Sequence, residues 1–271
     1  MNSKKVVIIT GASAGIGRAV AIKYAEQKFN LMLVALENEV LVKLGSELES
    51  GYGVQCIVCP GNLNDKEFLR SIIDKTVDRW GTIDVLVNNA AWRTIETMRS
   101  INFDAWEQTL GVCLTAPAFL AKWSAEVMEK NKNNGTIINV SSVMSERPGG
   151  ISPAYIAAKG AIESLTYELA VTYGRSLIRV VCVQPGNIET SMSNDYTDSK
   201  GENISNKLAE HVSDLTPLSR AGKPEEIAEA IYWLSSDNAS FITGTTVKID
   251  GGLSHNFNAY SVKRVQFPNE F

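Results

Sequence analysis

Short apolar segments alternate with longer segments of helical periodicity along most of the chain. The apolar segments are rich in Val and Ile and predict seven strands, at residues 6–10, 31–35, 54–58, 84–88, 136–140, 179–184 and 246–249. Between them, apolar residues recur at helical spacing at residues 16–28, 40–50, 66–80, 103–130, 153–173 and 224–235. Strands that are apolar on both faces and separated by helices indicate a parallel sheet covered on both sides. The predicted architecture is therefore a doubly wound α/β fold.

Nothing in the sequence divides the chain into separate units. It has 271 residues, which is within the range of one open α/β sheet, and it contains no internal repeat, low-complexity segment or linker. We therefore predict a single domain over residues 1–271. The content of 44% hydrophobic and 21% charged residues is typical of soluble globular proteins.

Charge and targeting signals narrow the expected partners and compartment. The formal net charge is −4, which gives no basic field to attract a phosphate backbone, so nucleic acid is not an expected partner. No signal peptide precedes the first strand, and no apolar run approaches the ~20 residues that cross a bilayer. We expect a cytoplasmic protein that does not insert into a membrane.

Cys56 and Cys59 form a C-x-x-C sequence in the third predicted strand. The sequence has no second cysteine pair of this kind to complete a zinc set, and it has only two histidines. Because free cysteine is commonly interior, we expect both residues to be buried thiols. The sequence predicts no metal site.

A glycine-rich loop joins the first predicted strand to the first predicted helix. Gly11, Gly15 and Gly17 follow the strand in the pattern G-x-x-x-G-x-G. Such glycines allow a tight turn and let a pyrophosphate approach the helix N-terminus, whose free N–H groups and dipole favour negative charge. The alternative is a tight turn that binds no ligand.

A second pattern combines Ser142, Tyr155 and Lys159. A free tyrosine titrates near pH ~10, but a lysine ammonium one helical turn away stabilises the phenolate. A nearby serine hydroxyl can hold an alcohol or carbonyl oxygen within reach of the phenol. Ser152 as N-cap and Pro153 in the first turn predict that the helix begins there. The alternative is a Tyr–Lys pair on a solvated helix face.

Five short motifs occur in a recognisable order, namely Thr10-Gly-Ala-Ser-Ala-Gly-Ile-Gly17, Asn88-Asn-Ala90, Asn139-Val-Ser-Ser142, Tyr155-x-x-x-Lys159 and Pro185-Gly186. The chain resembles the short-chain dehydrogenase/reductase family in all of them, from Val6 to the segment Asp250-Gly-Gly252. The resemblance implies a Rossmann-type fold with a seven-stranded parallel sheet, a nicotinamide cofactor, oxidation of alcohols or reduction of ketones, and a homodimer or homotetramer.

The resemblance also implies a role for individual residues. Tyr155 would be the acid/base, Lys159 would bind the nicotinamide ribose and lower the pKa of the tyrosine, and Ser142 would orient the substrate oxygen. The cofactor would supply the hydride chemistry. Its binding residues would lie at the carboxyl ends of strands, where open α/β sheets place ligands. Beside Tyr155 and Lys159 they are Gly11, Ser13, Ala14, Gly15, Ile16, Gly17, Leu36, Asn62, Leu63, Asn89, Ala90, Pro185, Gly186, Ile188 and Thr190.

The chain departs from the family pattern at three positions. Cys113 stands where the family has an asparagine that helps to hold a proton-relay water chain, and a thiol is a weak donor and acceptor. The relay would then be slower or rerouted, or the chain would bind a ligand without catalysis. A cysteine nucleophile is a third interpretation, although no base is apparent nearby. Asn62 replaces an aspartate but keeps an acceptor oxygen for the adenine amino group, and Ala91 replaces a glycine.

The end of the second strand bears on the choice of cofactor. It is followed by Leu36 and Glu37, and Ala14 occupies the loop position where NADP-dependent members often have an arginine. No cation is placed here to neutralise a 2′-phosphate, and Glu37 would repel one. The sequence therefore favours NAD(H) and leaves NADP(H) open.

A long polar segment at residues 187–220 would close over the substrate, as long loops often do. Trp92, Arg93, Glu146 and Arg147 follow strands on the same side of the sheet. Among them we predict Trp92 and Arg147 as substrate contacts, together with Ser142 and Tyr155. An aromatic residue with paired charges suits a sugar or polyol. Alternatively, these are rim residues without substrate contact.

The C-terminal tail, residues 253–271, contains four aromatic residues. We expect it to cover part of a neighbouring subunit's pocket, the alternatives being a tail that packs on its own subunit or frays. Taken together, the sequence predicts an NAD(P)-dependent oxidoreductase that interconverts a small secondary alcohol and a ketone. The alternative is a catalytically weakened nucleotide-binding sensor or scaffold protein.

Overall fold

Seven parallel strands form one sheet in the computed structural model, which describes residues 4–271. The sheet order is β3-β2-β1-β4-β5-β6-β7, and every neighbouring pair of strands is parallel. The predicted seven-stranded parallel sheet is therefore confirmed. The strands are β1 (Val6–Thr10), β2 (Asn30–Ala35), β3 (Cys56–Pro60), β4 (Val85–Asn88), β5 (Thr136–Val140), β6 (Arg179–Pro185) and β7 (Thr245–Ile249).

Helices cover both faces of the sheet, as the alternating pattern predicts. Side chains of Val7 and Ile9 pack with α1, α2 and α8, whereas Ile8 packs with α3, α5 and α6 on the opposite face. Within residues 4–271, no helix is both long and apolar enough to cross a membrane. The helices are α1 (Gly15–Glu26), α2 (Asn38–Tyr52), α3 (Lys66–Trp80), α4 (Phe103–Leu110), α5 (Ala116–Asn131), α6 (Pro153–Tyr173), α7 (Ser205–Leu215), α8 (Pro224–Ser235) and α9 (Tyr260–Gln266).

The strand order reverses direction between β1 and β4. The chain builds β2 and β3 on one side of β1 and then places β4 on the other side. At such a switch point the loops after the two strands diverge and leave a crevice at their carboxyl ends. The loops that follow β1 and β4 flank this crevice, and those that follow β5 and β6 continue along the same edge of the sheet.

The predicted helix over residues 103–130 is interrupted. Residues Gly111–Thr115 form a π-helical turn between α4 and α5, in which the N–H of Ala116 bonds to the carbonyl of Gly111. Pro117 has no N–H to offer the carbonyl of Cys113, so a regular α-helix loses a hydrogen bond here. The predicted helical stretch over 103–130 is therefore confirmed, with a π-helical turn that the pattern did not predict, and Cys113 lies within that turn.

The segment at 187–220 and the tail contain more structure than the sequence predicts. The segment includes a short 3₁₀ turn at Ser191–Asn194 and helix α7, and the tail includes α9. Helix α9 lies against α7 of its own chain, where Ser261 Oγ donates to Asp214 at 2.5 Å. That hydrogen bond lowers the pKa of the Asp214 carboxyl. Part of the tail thus packs on its own subunit, and the cover of a neighbouring subunit's pocket stays a prediction.

The C-x-x-C cysteines lie in β3 and are both free. Cys59 is buried as predicted, whereas Cys56 is only half-buried. Burial raises the pKa of Cys56 to about 12 and raises the pKa of Cys59 as well. Both are therefore protonated thiols at neutral pH, with little nucleophilic character.

Candidate active site

A cavity of about 820 Å³ opens at the carboxyl ends of β1, β4, β5 and β6. Its volume lies within the range of small-molecule and cofactor sites. The structure brings almost all of the sequence-predicted site residues to this one cavity, Gly17 being the exception. Those that line it are Gly11, Ser13, Ala14, Gly15, Ile16, Leu36, Asn62, Leu63, Asn89, Ala90, Trp92, Ser142, Arg147, Tyr155, Lys159, Pro185, Gly186, Ile188 and Thr190.

The glycine loop leaves no room for side chains where it meets β4 and α1. Gly11 has φ +67°, and a Cβ on it would lie 2.9 Å from the Cα of Ala90. A Cβ on Gly17 would lie 2.0 Å from the carbonyl oxygen of Gly11. Gly17 does not line the cavity, and the structure shows that it permits close packing of helix against loop. Helix α1 begins at Gly15, so its unpaired N-terminal N–H groups lie at the cavity.

A threonine and an asparagine brace this loop against β4. Thr10 Oγ1 accepts hydrogen bonds from the N–H groups of Asn89 and Ala90, both at 3.0 Å. The side-chain amide of Asn89 donates to the carbonyl of Thr10 at 2.9 Å. We did not predict Thr10 as a site residue. The sequence signal for Thr10 was that it carries the one hydroxyl in β1, at the end of an otherwise apolar and fully buried strand.

Ser142 follows β5, and Tyr155 and Lys159 lie one turn apart in α6. The Nζ of Lys159 is 5.4 Å from the centroid of the Tyr155 ring and donates to the carbonyl of Val140 at 2.6 Å. Tyr155 is 8% exposed and Lys159 is 2% exposed. The pair is therefore buried at the cavity wall and does not belong to a solvated helix face. Ser142 Oγ accepts from the N–H of Met144, which leaves its hydroxyl proton for another acceptor.

The start of α6 differs from the prediction. Ser152 has a left-handed backbone (φ +59°), and its side chain makes no capping hydrogen bond to the helix. Its Oγ donates instead to the carbonyl of Thr94 at 2.5 Å, and its N–H donates to the carbonyl of Glu96. The predicted cap was wrong because the hydroxyl is used to tie α6 to the loop after β4. Pro153 does occupy the first turn, as predicted.

Cys113 joins the π-helical turn to the same loop. Its Sγ accepts from the N–H of Trp92 and donates to the carbonyl of Trp92, both at 3.4 Å. Cys113 is 1% exposed and packs with Tyr155 and Ala158. The thiol thus serves as donor and acceptor at once. Although Cys113 departs from the family pattern, it makes two hydrogen bonds that hold the cavity wall beside Tyr155.

A carboxylate behind Ser142 organises its surroundings. Glu163 Oε1 accepts hydrogen bonds from Ser141 Oγ at 2.5 Å, Ser145 Oγ at 2.7 Å and Gln184 Nε2 at 3.0 Å. The carbonyl of Ser142 lies 2.7 Å from Ser145 Oγ and is a second acceptor for the single hydrogen of that hydroxyl. The network fixes the backbone on both sides of Ser142. We did not predict this network. Its sequence signal was Gln184, a polar residue in an apolar strand, because a buried amide needs a polar partner nearby.

The end of the cavity beside β2 carries an acidic group. Glu37 lines it and accepts a hydrogen bond from Ser13 Oγ at 2.8 Å. Asn62 Oδ1 accepts from the N–H of Asn64 at 3.0 Å, which leaves one lone pair for a further donor. The glycine loop, the helix N-terminus and these acceptors fit a dinucleotide whose ribose hydroxyls and adenine amino group are donors.

The opposite end of the cavity is where the predicted substrate contacts lie. Trp92 and Arg147 line it, but Arg147 Nη1 donates to the carbonyls of Leu253 and Asn256 in the tail. Glu146 does not line the cavity. It pairs with Lys248, whose hydrogen bond lowers the pKa of the Glu146 carboxyl. The segment at 187–220 adds lining residues that no motif predicted, namely Met192, Tyr196, His211, Val212 and Leu215.

The chain is similar to known oxidoreductases over most of its length. A family model described as enoyl-(acyl carrier protein) reductase matches residues 11–254. Glucose 1-dehydrogenase 2 of Bacillus subtilis is 31% identical over 251 residues, which are 92% of this chain and 95% of that protein. Meso-2,3-butanediol dehydrogenase of Serratia marcescens is 30% identical over 250 residues, 92% of this chain and 94% of that protein.

A solved structure of similar shape is that of L-sorbose reductase from Gluconobacter frateurii, complexed with NADPH and L-sorbose. It superimposes with a TM-score of 0.86 at 28% identity and covers 94% of this chain and 98% of its own. The family model and the two relatives each cover most of the chain, and the order of motifs predicts the same family. The chain belongs to the short-chain dehydrogenase/reductase family and is an NAD(P)-dependent oxidoreductase acting on CH–OH groups.

Proposed function

We propose that the protein interconverts a small, oxygen-rich secondary alcohol and its ketone, with Tyr155 as the general acid/base. The observation that carries this proposal is the burial of Tyr155 beside Lys159 in the wall of a cavity that Ser142 also lines. A nucleotide sensor would need the glycine loop but not this costly burial of a lysine next to a phenol. The arrangement therefore supports catalysis over simple binding.

In the reductive direction, the Tyr155 hydroxyl would donate its proton to the carbonyl oxygen of the substrate, and Ser142 would hydrogen-bond the same oxygen. The ammonium of Lys159, held by the carbonyl of Val140, would stabilise the phenolate that remains. In the oxidative direction, the phenolate would accept the proton of the alcohol. A nicotinamide cofactor, when bound, supplies or accepts the hydride.

The residues of the glycine loop and the N-terminus of α1 would hold the pyrophosphate of the cofactor. Glu37 and Ser13 would face the adenosine ribose, where the carboxylate accepts hydrogen bonds from two hydroxyls but repels a 2′-phosphate. Pro185, Gly186 and the following residues would cover the nicotinamide ring. This arrangement supports NAD(H) as the preferred cofactor.

The names of the compared relatives support the substrate class. The compared proteins are named for glucose, butanediol and sorbose, and each of these compounds has more than one oxygen. Ser142, Trp92 and the residues of the segment at 187–220 surround the space beside Tyr155. We therefore assign a sugar, polyol or small diol as the substrate and the segment at 187–220 as the lid that closes over it.

We also propose that the chain works as a homodimer or homotetramer, as is common in the family. The outer face of α6 exposes Tyr167 at 43% and Val171 at 79%. Phe119 of α5 is 45% exposed. Large apolar side chains at the surface suit burial between subunits.

A panel of sugars, diols and simple secondary alcohols, with the matching ketones, tests this function. We expect turnover of at least one oxygen-rich member, and a higher kcat/KM with NADH than with NADPH because Glu37 disfavours a 2′-phosphate. Absorbance of the reduced nicotinamide at 340 nm reports both cofactors in the same assay. A purified protein that binds NADH but turns over no member of the panel would contradict the proposal.

Substitution of Cys113 tests the role of the thiol. Cys113→Ala leaves the partly buried N–H and carbonyl of Trp92 without these partners, and the cost approaches about 1–3 kcal/mol only for a fully buried group. We therefore expect a lower melting temperature and a lower kcat, while Cys113→Ser, which keeps a donor and an acceptor, stays close to the wild type. Thermal unfolding and steady-state kinetics measure the two effects. Equal behaviour of the two variants would show that the hydrogen bonds have no such role.

A further inference from the structure

Arg93 occupies an unusual place in the wall of the cavity. It is the residue after Trp92 in the loop that follows β4. Its side chain is only 5% exposed although it carries a positive charge. A charged group is rarely buried to this extent unless each of its donors finds an acceptor. The hydrogen-bond partners of its guanidinium therefore indicate which groups Arg93 binds.

One of the two terminal nitrogens of the guanidinium, Nη2, makes both of its hydrogen bonds to the segment at 187–220. Nη2 donates to the carbonyl of Met192 at 2.6 Å and to Asp195 Oδ1 at 2.8 Å. The guanidinium carbon lies 5.1 Å from the ring centroid of Tyr196, in a cation–π contact. Arg93 thereby joins the loop after β4 to the segment at 187–220, and Asp195 balances its charge.

The other terminal nitrogen has no such partner. Nη1 of Arg93 is buried and makes no hydrogen bond to any residue within 4–271. Leaving such donors unpaired is costly, and buried unsatisfied groups of native proteins generally answer to a ligand or water. Arg147 and Lys159 also line the cavity, but both donate to backbone carbonyls. Arg93 thus holds, within the cavity wall, a buried guanidinium nitrogen whose hydrogens are unpaired among the described residues.

We infer that Arg93 is a specificity-determining residue whose Nη1 donates to a second, neutral oxygen of the substrate, as in an α-hydroxyketone or a vicinal diol. The inference rests on the proposed function and narrows its substrate class. A neutral acceptor fits better than a carboxylate because Asp195 already balances the charge of the guanidinium. Nη1 is shielded from solvent in this structure. The substrate oxygen would therefore reach Nη1 only when the segment at 187–220 moves on substrate binding.

The test compares substrates of one carbon skeleton. The probes are acetoin, which has a second neutral oxygen, butan-2-one, which has none, and 2-oxobutanoate, which has a carboxylate. We expect the wild type to prefer acetoin over butan-2-one in kcat/KM by about tenfold or more, and Arg93→Met to reduce this preference to within about threefold. Arg175→Met is the matched control, since Arg175 is an exposed arginine outside the cavity lining.

Asp195→Ala separates recognition from lid closure. It removes one lid contact of Nη2 but keeps Nη1, so we expect it to change kcat/KM for acetoin and butan-2-one by the same factor. If Arg93→Met also changes both by the same factor, Arg93 only holds the lid, and the inference is overturned. The wild type could instead have a higher kcat/KM for 2-oxobutanoate than for acetoin, and Arg93→Met could remove that difference. This result would show that Arg93 binds a carboxylate and would overturn the assignment of a neutral second oxygen.

A binding measurement keeps this test separate from the proposed function. In the Tyr155→Phe background, acetoin with NADH present should raise the melting temperature, and Arg93→Met should abolish that rise. The rise is expected whether or not the unsubstituted protein turns over acetoin, so failure of turnover alone counts against the proposed function. No rise, or a rise that persists in Arg93→Met, counts against the role of Arg93.

Discussion

Tyr155→Phe is expected to lower kcat by about 10²–10⁴-fold, the usual contribution of a positioned general acid/base, and to leave the affinity for NADH nearly unchanged. The substitution removes one hydroxyl but keeps the ring that packs with Cys113 and Ala158. The Lys159 ammonium keeps its hydrogen bond to Val140, so the wall of the cavity stays in place. Steady-state kinetics and titration of NADH fluorescence measure the two quantities separately.

Tyr173→Phe serves as the control for this variant. Tyr173 lies at the other end of the same helix and does not line the cavity. We expect its turnover to match that of the wild type. Substantial turnover by Tyr155→Phe, with an unaltered control, would show that another group handles the proton and would remove the central assignment of the mechanism.

Gly17→Ala is expected to disrupt the cofactor loop and the fold around it. Its Cβ would lie 2.0 Å from the carbonyl oxygen of Gly11 and 2.5 Å from Asn89 Nδ2, so the backbone of the loop has to move. Overpacking typically costs about 1–3 kcal/mol, and we expect a loss at the upper end because the neighbour is backbone. We also expect the affinity for NADH to fall by about tenfold or more, equivalent to 1.4 kcal/mol.

Gly51→Ala is the matched control for this substitution. Gly51 lies within α2, and a Cβ there meets no atom within 4 Å. Alanine is the better helix former, so the free energy of unfolding should rise by about 0.5–1 kcal/mol with NADH affinity unchanged. Chemical denaturation and fluorescence titration compare both variants. Normal stability and NADH binding in Gly17→Ala would show that the loop tolerates the side chain.

Local patterns predicted the order of most elements and most of the cavity lining. β1 and β5 match their predicted ranges, as do α3, α6 and α8. Apolar periodicity predicts such elements because it reflects which positions each one buries. The helical stretch at 103–130 is also present, but apolar periodicity did not predict its π-helical turn, for which Pro117 was the one sequence signal.

By itself, the sequence determined the α/β alternation, the glycine loop and the spacing of Ser142, Tyr155 and Lys159. These features depend on residues close together in the chain or on motifs that follow strand ends. Only the tertiary structure decided how Glu163, Arg93 and the tail are used. Arg93 meets Asp195 across 102 residues of sequence, and Ser261 meets Asp214 across 47. The identity of such partners is set by the packing of distant elements, and no local pattern of polar residues encodes it.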